Sequence, residues 1–333
     1  MTENKVTIVG DTFPVERFET GLWSLDRAVG FRGQNGIPLR SLIELYGPEH
    51  SGKSTLGYYI MSKFSPQGTV WIADLEGTLD KEYVTEIMDH AGYTGTVQVA
   101  EYMNTDKRKS KLRSHEEQMQ DTIDALMNDG VSAGMIDSLG SFVPLVVQKK
   151  DLGERTVGQA AMTIGDASRR IAGWLRVTDA PKFFIYINHV HPNIGGHGFN
   201  TPGGETKRFM SNVRLWIRRV ESDIPEASGN FLAEVRVQKL KVGGAHAGRK
   251  GYIFFIPGFG VSKEMTDVFD CINMELAKRE ALISLKKYDD KKGDFVWEKM
   301  GRIGELTEKA MEPEKNKALF QHFADALKGL ENE

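Results

Sequence analysis

The sequence has little cysteine, no long apolar run and no large excess of either charge. Its single cysteine, Cys271, cannot form an internal disulfide, which excludes a disulfide-stapled fold and favours a reducing cytosol. No stretch approaches the roughly 18 apolar residues of a membrane-spanning helix, and residues 1–19 lack an apolar signal core. We therefore expect a cytoplasmic protein without membrane contact. The net charge of −3 excludes an overall electrostatic grip on nucleic acid, so any such binding must use a local surface or an assembled groove.

The 333 residues alternate short β-rich runs with helical stretches over residues 20–261. This order predicts an α/β fold with a mostly parallel, twisted sheet and helices on both faces. Residues 1–19 are predicted to form a short arm that contacts a neighbouring subunit, and residues 262–333 a small, largely helical C-terminal domain. The predicted strands are 41–46, 69–73, 96–99, 133–136, 183–188 and 213–217, with 231–240 and 252–256 as an antiparallel hairpin at the sheet edge.

One predicted strand runs directly into the phosphate-binding pattern G-x-x-x-x-G-K-[ST]. In such a loop backbone N–H groups surround phosphate oxygens, Lys53 places its charge between the terminal phosphates, and the Ser54 hydroxyl ligates Mg²⁺. A loop that binds nothing is the alternative, but a strand before it and a helix from Ser54 favour a nucleoside triphosphate. The predicted ATP-binding residues of the loop are Gly47, Pro48, Glu49, His50, Ser51, Gly52, Lys53, Ser54 and Thr55.

Acidic residues follow two other predicted strands. Asp137 ends an apolar run, where a phosphate-loop fold keeps the carboxylate that orients Mg²⁺. Glu76 follows the strand 69–73, and ligands sit outside the carboxyl ends of parallel strands. Glu76 is therefore the candidate that activates the attacking water, although a carboxylate here would serve equally as the cap of the next helix.

Three Gly-rich or charged segments, 102–114, 148–158 and 191–206, are predicted to be neither strand nor helix. They either bind something or decorate the surface. The first contains five basic residues in seven, which predicts a solvated loop or an added contact with DNA or a partner. His189, His191 and His197 suggest zinc, yet no cysteine lies near, and a structural role for the histidine at 189 stays open. Lys239 and Lys241 are two residues apart on a strand, so their side chains point to the same face. Such a pair is also what a solvated edge of the sheet would carry.

The sequences ETGLWSLD at 19–26, GIP at 36–38 and IELYGPEHSGKST at 43–55 resemble the RecA family. EGTLD at 76–80, IDS at 136–138 and VRLWIRR at 213–219 follow in the family's order, and the resemblance covers residues 19–256. It implies a RecA-like P-loop ATPase core that uses ATP and Mg²⁺. It also implies a filament on single-stranded DNA, homologous pairing with double-stranded DNA, and strand exchange in recombination and repair.

The resemblance assigns roles around the nucleotide. Glu76 would be the catalytic glutamate, and Asp80 and Tyr83 would contact adenine. His189 would replace the glutamine that senses the γ-phosphate, and a histidine there is similar to the phage UvsX recombinases, which favours a viral origin. Lys239 and Lys241 would reach across the subunit boundary to the neighbour's ATP, so a monomer would hold only half of a hydrolytic site.

The resemblance also places two DNA-binding loops, at 148–158 and 191–206. Met162 stands where the family keeps an arginine, and Asn193 replaces a lysine, so DNA affinity would be reduced. The DNA-binding residues that the resemblance implies are Val157, Gly158, Arg169, Arg170, Asn193, Ile194, Gly195, Gly203, Gly204 and Arg208.

Three other functions compete with a recombinase. A helicase or branch-migration ATPase on the same core would form closed rings. A nucleotide-gated assembly or mediator protein would bind ATP and partners with little hydrolysis, against which the intact Lys53, Glu76 and Asp137 argue. A metabolic kinase would leave the long loops unexplained. A recombinase would also admit a mediator or single-strand-binding protein as a further partner.

Overall fold

The structure of the protein is a computed structural model that describes residues 15–31, 33–100, 113–128, 130–151, 158–192, 198–220, 229–241, 247–289 and 291–330. Some predictions fall outside these ranges. They concern Val157, Asn193, Ile194, Gly195, His197, most of the arm and all of the basic run except Arg113.

The helices and strands alternate along the described chain as predicted for an α/β fold. The strands are β1 (Arg17–Phe18), β2 (Ile37–Pro38), β3 (Leu42–Tyr46), β4 (Thr69–Asp74), β5 (Thr96–Val99), β6 (Val131–Asp137), β7 (Phe183–Asn188), β8 (His191–Pro192), β9 (Phe199–Asn200), β10 (Val213–Val220), β11 (Phe231–Leu240), β12 (Lys250–Ile256), β13 (Gly260–Ser262), β14 (Ala277–Arg279), β15 (Ile283–Asp289) and β16 (Asp294–Gly301). The helices are α1 (Trp23–Val29), α2 (Lys53–Phe64), α3 (Lys81–His90), α4 (His115–Met127), α5 (Leu145–Gln148), α6 (Gln159–Val177), α7 (Gly204–Met210), α8 (Lys263–Asn273), α9 (Ile303–Ala310) and α10 (Lys317–Gly329), with a 3₁₀ turn at Leu139–Ser141.

A large sheet runs through the described residues in the order β13-β12-β11-β10-β3-β7-β6-β4-β5. The strands from β10 to β5 pair in parallel, and β11, β12 and β13 extend one edge antiparallel. This arrangement confirms the predicted mostly parallel sheet and the predicted hairpin of β11 and β12. It also brings the carboxyl ends of β3, β4, β6 and β7 to a single edge, where ligands bind in folds of this kind.

The side chains of β7 show why helices cover both faces of this sheet. Phe183, Ile185 and Ile187 pack in the hydrophobic cluster that contains α1, α2 and α3, whereas Phe184 and Tyr186 pack in the cluster with α4 and α6. Successive residues of a strand point to opposite faces, so a strand covered on both sides needs a continuous apolar run. The prediction of helices on both faces is therefore confirmed.

The predicted loops are wrong in part. Within 191–206, β8 and β9 pair with each other and α7 begins at Gly204, while Gln148 is the last residue of α5. Two-residue strands carry no recognisable alternation, and helices of four or seven residues carry little helical periodicity. These short elements depend on tertiary contacts that a local pattern does not report.

The segment after residue 261 contains the expected helices, α8, α9 and α10, but also the antiparallel sheet β14-β15-β16, which was not predicted. Its strands are rich in lysine, a composition typical of helices, so their alternation of apolar and polar residues is difficult to recognise. The segment shares a hydrophobic cluster with the large sheet, in which Phe254 and Ile256 of β12 pack with Phe269, Phe320 and Phe323. No helix in the described ranges is both long and apolar enough to cross a membrane.

Candidate functional site

The phosphate-loop motif connects β3 to α2, which begins at Lys53, one residue earlier than predicted. A side chain at Gly47 would place its Cβ 1.9 Å from the carbonyl oxygen of Ile217 on β10. Gly52 has a φ of +85°, and a Cβ there would lie 2.7 Å from the Phe255 ring. Both glycines are therefore required by packing within the fold as well as by any phosphate the loop would hold.

Lys53 and Asp137 lie at the start of α2 and the end of β6. The Lys53 ammonium donates to the carbonyl oxygen of Pro48 at 2.7 Å. Burial lowers the pKa of Lys53, an effect partly offset by the charges of Asp137 and Glu76. Burial raises the pKa of Asp137 to about 6, although a hydrogen bond with Ser54 opposes the shift. This half-buried carboxylate beside a hydroxyl offers the oxygen ligands that Mg²⁺ prefers, so the residues fit the predicted ion.

Asp74, a residue that was not singled out from the sequence, fixes the conformation of the loop that follows β4. Its carboxylate accepts hydrogen bonds from the backbone N–H groups of Glu76, Gly77 and Leu79 at 2.6–3.0 Å. These bonds turn the chain and leave the Glu76 side chain to other partners. The helix cap is instead Asp80, which accepts from the N–H groups of Glu82 and Tyr83, so the alternative reading of Glu76 as a cap is wrong.

The Glu76 carboxylate is held by two side chains from neighbouring strand ends. Ser138 Oγ donates to Oε1 at 2.5 Å, and His189 Nε2 lies 2.6 Å from the same oxygen. Burial favours the neutral acid, but the hydrogen bonds from His189 and Ser138 outweigh it and lower the pKa of Glu76. The carboxylate is therefore ionised at neutral pH, and its side chain remains 28% exposed.

These groups border one cavity of about 760 Å³ at the carboxyl edge of the sheet. It brings together the predicted residues Lys53, Ser54, Glu76, Asp137 and His189. The cavity is lined by Glu49, His50, Ser51, Gly52, Lys53, Ser54, Thr55, Glu76, Thr78, Asp137, Gly140, Ser141, Ile187, His189, Val190 and His191. Asp80 and Tyr83 are not among the lining residues, and Tyr83 is 40% exposed.

Lys239 and Lys241 lie away from this cavity, at the end of β11. Both ammonium groups sit over the exposed Phe209 ring, 5.7 Å and 4.1 Å from its centroid. Lys239 also donates to the carbonyl oxygens of Arg208 and Phe209, at the carboxyl end of α7. Burial, reinforced by Lys241, lowers the pKa of Lys239 to about 8. The shared face predicted for the two lysines is present.

Another acid, Glu44, is fully buried, and its sequence context did not single it out. Glu44 on β3 forms ion pairs with Lys207 of α7 and Arg214 of β10. Asn188 Nδ2 donates to Glu44 Oε1 at 2.9 Å and to the carbonyl oxygen of Pro202 at 3.0 Å. Burial opposes ionisation of Glu44, yet the two cations lower its pKa. This network ties the start of α7 to the strand ends beside His189.

The residues assigned to DNA divide between exposed and packed positions. Arg169 and Arg170 are exposed on α6, where Arg169 pairs with Asp166 and Arg170 donates to Gln120. Gly158 caps the start of α6 with a φ of +80°. Arg208 on α7 pairs with Glu205 and is partly exposed.

The paired glycines Gly203 and Gly204 have a packing role that the sequence did not suggest. A Cβ on Gly203 would lie 3.0 Å from Ile164, and one on Gly204 would lie 3.0 Å from Ala161. Their φ values of +94° and +73° favour glycine independently. Both residues thus allow α7 to approach α6 closely.

Zinc was the alternative suggested by the histidines. The described residues contain no group of three or more His, Cys, Asp or Glu side chains arranged to hold a metal ion. His189 contacts Glu76, while His191 is exposed in β8.

Ser138 belongs to the IDS motif, but the sequence alone predicts no role for it. The signal that would have singled it out is its place directly after Asp137, because the residue following a strand-end acid also faces the ligand edge. A phosphate loop, a strand-end acid beside its serine, and an ionised glutamate at the carboxyl edge of a parallel sheet define the P-loop class of nucleotide-binding folds.

Comparison with known proteins gives the family. Residues 4–260 match the RecA N-terminal domain, so the chain belongs to the RecA family. Protein RecA of Desulfovibrio desulfuricans is 30% identical over 250 residues, which are 73% of this chain and 64% of that protein. Protein RecA of Solidesulfovibrio magneticus is 30% identical over 251 residues, which are 74% and 65% of the two chains. The matched region therefore spans less than two thirds of either relative.

A more distant relative and a solved structure are also similar to this chain. Protein RecA of Nitratiruptor sp. is 25% identical over 325 residues, which are 96% of this chain and 84% of that protein. The crystal structure of the RadB recombinase aligns with a TM-score of 0.49 at 14% identity, covering 72% of this chain and 95% of that one.

Proposed function

We propose that this protein is an ATP-dependent recombinase that forms filaments on single-stranded DNA and exchanges strands with homologous double-stranded DNA. The observation that carries the proposal is the position of Glu76, which shares one cavity with Lys53 and Asp137 in a chain of the RecA family. An ionised carboxylate in the same cavity as a phosphate loop supports hydrolysis, which requires a group that orients water toward the terminal phosphate.

Each residue of the cavity would have a separate role in hydrolysis. Lys53 and the backbone of the loop would bind the triphosphate, and Ser54 and Asp137 would hold Mg²⁺, which neutralises phosphate charge when bound. Glu76 would accept a hydrogen bond, and then a proton, from the attacking water. His189 would act as sensor, because a phosphate oxygen entering the cavity competes with Glu76 for its Nε2 atom. Asp80 and Tyr83, at the start of α3, would contact the adenine.

Lys239 and Lys241 would complete the site of a neighbouring subunit. Their position away from the cavity of their own chain, beside the exposed Phe209, supports this assignment. Two cations from a neighbour would offset charge on the transferred phosphoryl group, as an arginine finger does. Hydrolysis would then depend on assembly.

DNA would bind along the two loops next to α6 and α7. The exposed Arg169 and Arg170 supply cations for phosphates, and Arg208 adds a third. Gly158, Gly203 and Gly204 would let the backbone approach the strand, and Val157 with residues 193–195 would complete the contact by resemblance. Loss of the γ-phosphate would weaken this grip, so the difference in DNA affinity between nucleotide states would drive release.

The same proposal includes the domain boundaries, with an arm that ends at residue 19 and an ATPase core that ends at residue 261. It also includes a cytosolic location, a phage origin and a mediator or single-strand-binding protein as partner. The hydrophobic cluster shared across residue 261 favours a C-terminal domain that is packed on the core.

Steady-state ATP hydrolysis, measured with and without single-stranded DNA over a range of protein concentrations, tests the proposal. We expect strong stimulation by DNA that rises cooperatively with concentration and falls about 10²- to 10⁴-fold in Glu76→Gln. Strand exchange would then separate a recombinase from a helicase, which would instead unwind duplex processively. Hydrolysis indifferent to DNA would reject both and favour a nucleotide-gated assembly protein.

A further inference from the structure

The His189 imidazole, which contacts Glu76, is oriented mainly by packing. Its Nε2 atom lies 2.6 Å from Glu76 Oε1. The other ring nitrogen, Nδ1, is buried and has no hydrogen-bond partner among the described residues. The second ring nitrogen of a functional histidine usually fixes the ring through a hydrogen bond. Because that bond is lacking within the described chain, the orientation of the His189 ring depends on the surfaces that it touches.

Gly140, in the 3₁₀ turn Leu139–Ser141, provides one of these surfaces. A Cβ on Gly140 would lie 2.9 Å from His189 Cδ2 and 3.6 Å from His189 Cβ and Cγ, and these are the three nearest atoms of the described residues. The φ of Gly140 is not positive, so its backbone would accept alanine without strain. The absence of a side chain at residue 140 is therefore explained by the imidazole and not by the backbone.

The turn is anchored more firmly than the ring. Leu139 and Phe142, which flank Gly140, are 1% and 5% exposed and pack in the hydrophobic cluster with α4 and α6. The His189 side chain is 26% exposed and borders the cavity. A methyl group at residue 140 would therefore displace the ring and not the turn. An ordinary carbon–carbon contact of about 3.5–4.0 Å would be restored only by a shift of more than about 0.5 Å.

The same short segment carries the other partner of Glu76. Ser138, directly before the turn, donates to Glu76 Oε1 at 2.5 Å. The Ser141 N–H group donates to the carbonyl oxygen of Ser138 at 3.2 Å, which closes the turn. Residues 138–141 thus hold one partner of Glu76 through the backbone and limit the position of the other through packing.

We propose that Gly140 is a positioning residue for hydrolysis, because the space left by its missing side chain receives the His189 ring and lets Nε2 reach Glu76. We call this space the ring seat. The inference rests on the proposed function and deepens it, since it adds a residue that acts through His189. A methyl group in the ring seat would leave Lys53 and Asp137 in place and would disturb the contact between His189 and Glu76.

Nuclear magnetic resonance of the nucleotide-free, full-length protein labelled with ¹⁵N-histidine tests the ring seat without hydrolysis. The His189 ring resonances are assigned by their loss in His189→Gln. Glu76→Gln should shift the His189 Nε2 resonance in the wild-type background but not in Gly140→Ala, where the contact is already lost. Unchanged His189 resonances in Gly140→Ala would overturn the inference. Gly173→Ala is the control, because its added methyl would have no described atom within 4 Å.

Steady-state ATP hydrolysis with saturating single-stranded DNA gives the functional result. Gly140→Ala should lower kcat at least about fivefold and change the KM for ATP less than about twofold, because a small misplacement of a positioned group costs mainly rate. In the His189→Gln background the same change should lower kcat less than about twofold, since a flexible glutamine side chain can bend past the methyl group.

Three results would overturn the inference. One is a kcat of Gly140→Ala that rises or falls less than about fivefold, and another is a comparable loss in both backgrounds. The third is a KM for ATP that rises in both backgrounds, which would mean that Gly140 makes room for the nucleotide and not for the ring.

The two measurements distinguish this inference from the proposed function. If the wild-type protein shows no DNA-stimulated hydrolysis, the proposed function fails, and the resonances alone decide whether the ring seat exists. If the wild type hydrolyses ATP and Gly140→Ala is unaffected, only the ring seat fails. Circular dichroism melting checks that the variants fold. Any fall in the melting temperature of Gly140→Ala should be recovered in Gly140→Ala/His189→Gln, and a fall that persists there would contradict the inference.

Discussion

Two glutamates, Glu44 in the middle of β3 and Glu76 just after β4, lie in contrasting environments. Glu44 is fully buried between Lys207 and Arg214, while Glu76 is 28% exposed and bonded to His189 and Ser138. Consecutive residues of one strand end serve the two acids, because Asn188 donates to Glu44 and His189 contacts Glu76.

The charge of Glu44 contributes to the fold, whereas the charge of Glu76 is available to a ligand. Glu44 has its hydrogen bonds filled by Lys207, Arg214 and Asn188, so a ligand has nothing to gain there. Glu76 has a hydroxyl and an imidazole as partners, both of which can rotate or exchange for water or phosphate. The partners of Glu76 can therefore be exchanged, as the proposed hydrolysis would require.

The largest effect on stability is expected at Glu44. Glu44→Gln should lower the free energy of unfolding by about 3–5 kcal/mol, because Lys207 and Arg214 would keep buried charges without their counterion. Urea unfolding followed by circular dichroism measures this loss. The double variant Glu44→Gln/Lys207→Met should recover part of it, and a loss below about 1 kcal/mol in the single variant would contradict a buried ionised network.

A third acid, on α8, is buried and has a serine as its hydrogen-bond partner. Asp270 is 1% exposed, accepts a hydrogen bond from the Ser24 N–H at 3.2 Å, and has its pKa raised to about 8 by burial. The folded chain therefore keeps this proton while the unfolded chain releases it above an ordinary pKa of 3.8. Stability should fall as pH rises towards 8 and then level, so the gain from Asp270→Asn should grow by about 1 kcal/mol per pH unit.

Asp267, on the same helix, is the matched control for this pH dependence. Burial raises its pKa only to about 6, because Lys263 partly compensates. The gain from Asp267→Asn should therefore stop growing above pH 6, two units earlier than for Asp270→Asn. Parallel urea titrations across this range compare the two, and identical profiles would contradict the assignment.

The smallest expected effect on folding is at Glu76. Glu76→Gln should change the free energy of unfolding by less than about 1 kcal/mol, because the side chain is partly exposed and glutamine keeps an acceptor for Ser138. ATP binding, followed by the rise in melting temperature on adding nucleotide, should persist although hydrolysis is lost. A large loss of stability would move Glu76 into the same class as Glu44.

Local patterns were enough to predict every strand of the large sheet except β13, and to single out the residues that follow several strand ends. The run before Gly47, the acid at Asp137 and the hairpin of β11 and β12 each depend on a few consecutive residues. Lys239 and Lys241 were correctly placed on one face because a strand repeats every two residues.

Contacts between distant residues were out of reach. Glu44 and Lys207 are 163 positions apart, and Glu76 and Ser138 are 62 apart, so no spacing rule connects them. Each residue taken alone has an ordinary surface interpretation, since lysine and glutamate are seldom fully buried. The strands β15 and β16 escaped prediction because charged residues on their exposed sides resemble a helix surface in composition.

The hydrophobic cluster beneath β12 has a consequence for the order in which the chain is made. Phe254 and Ile256 emerge from the ribosome well before Phe320, Phe323 and Leu327, which cover them in the finished protein. At elongation speeds of about 5–20 residues per second, this interval lasts several seconds. During that interval the apolar side chains of β12 are exposed to water, and a chaperone that holds unfolded chains could bind them there.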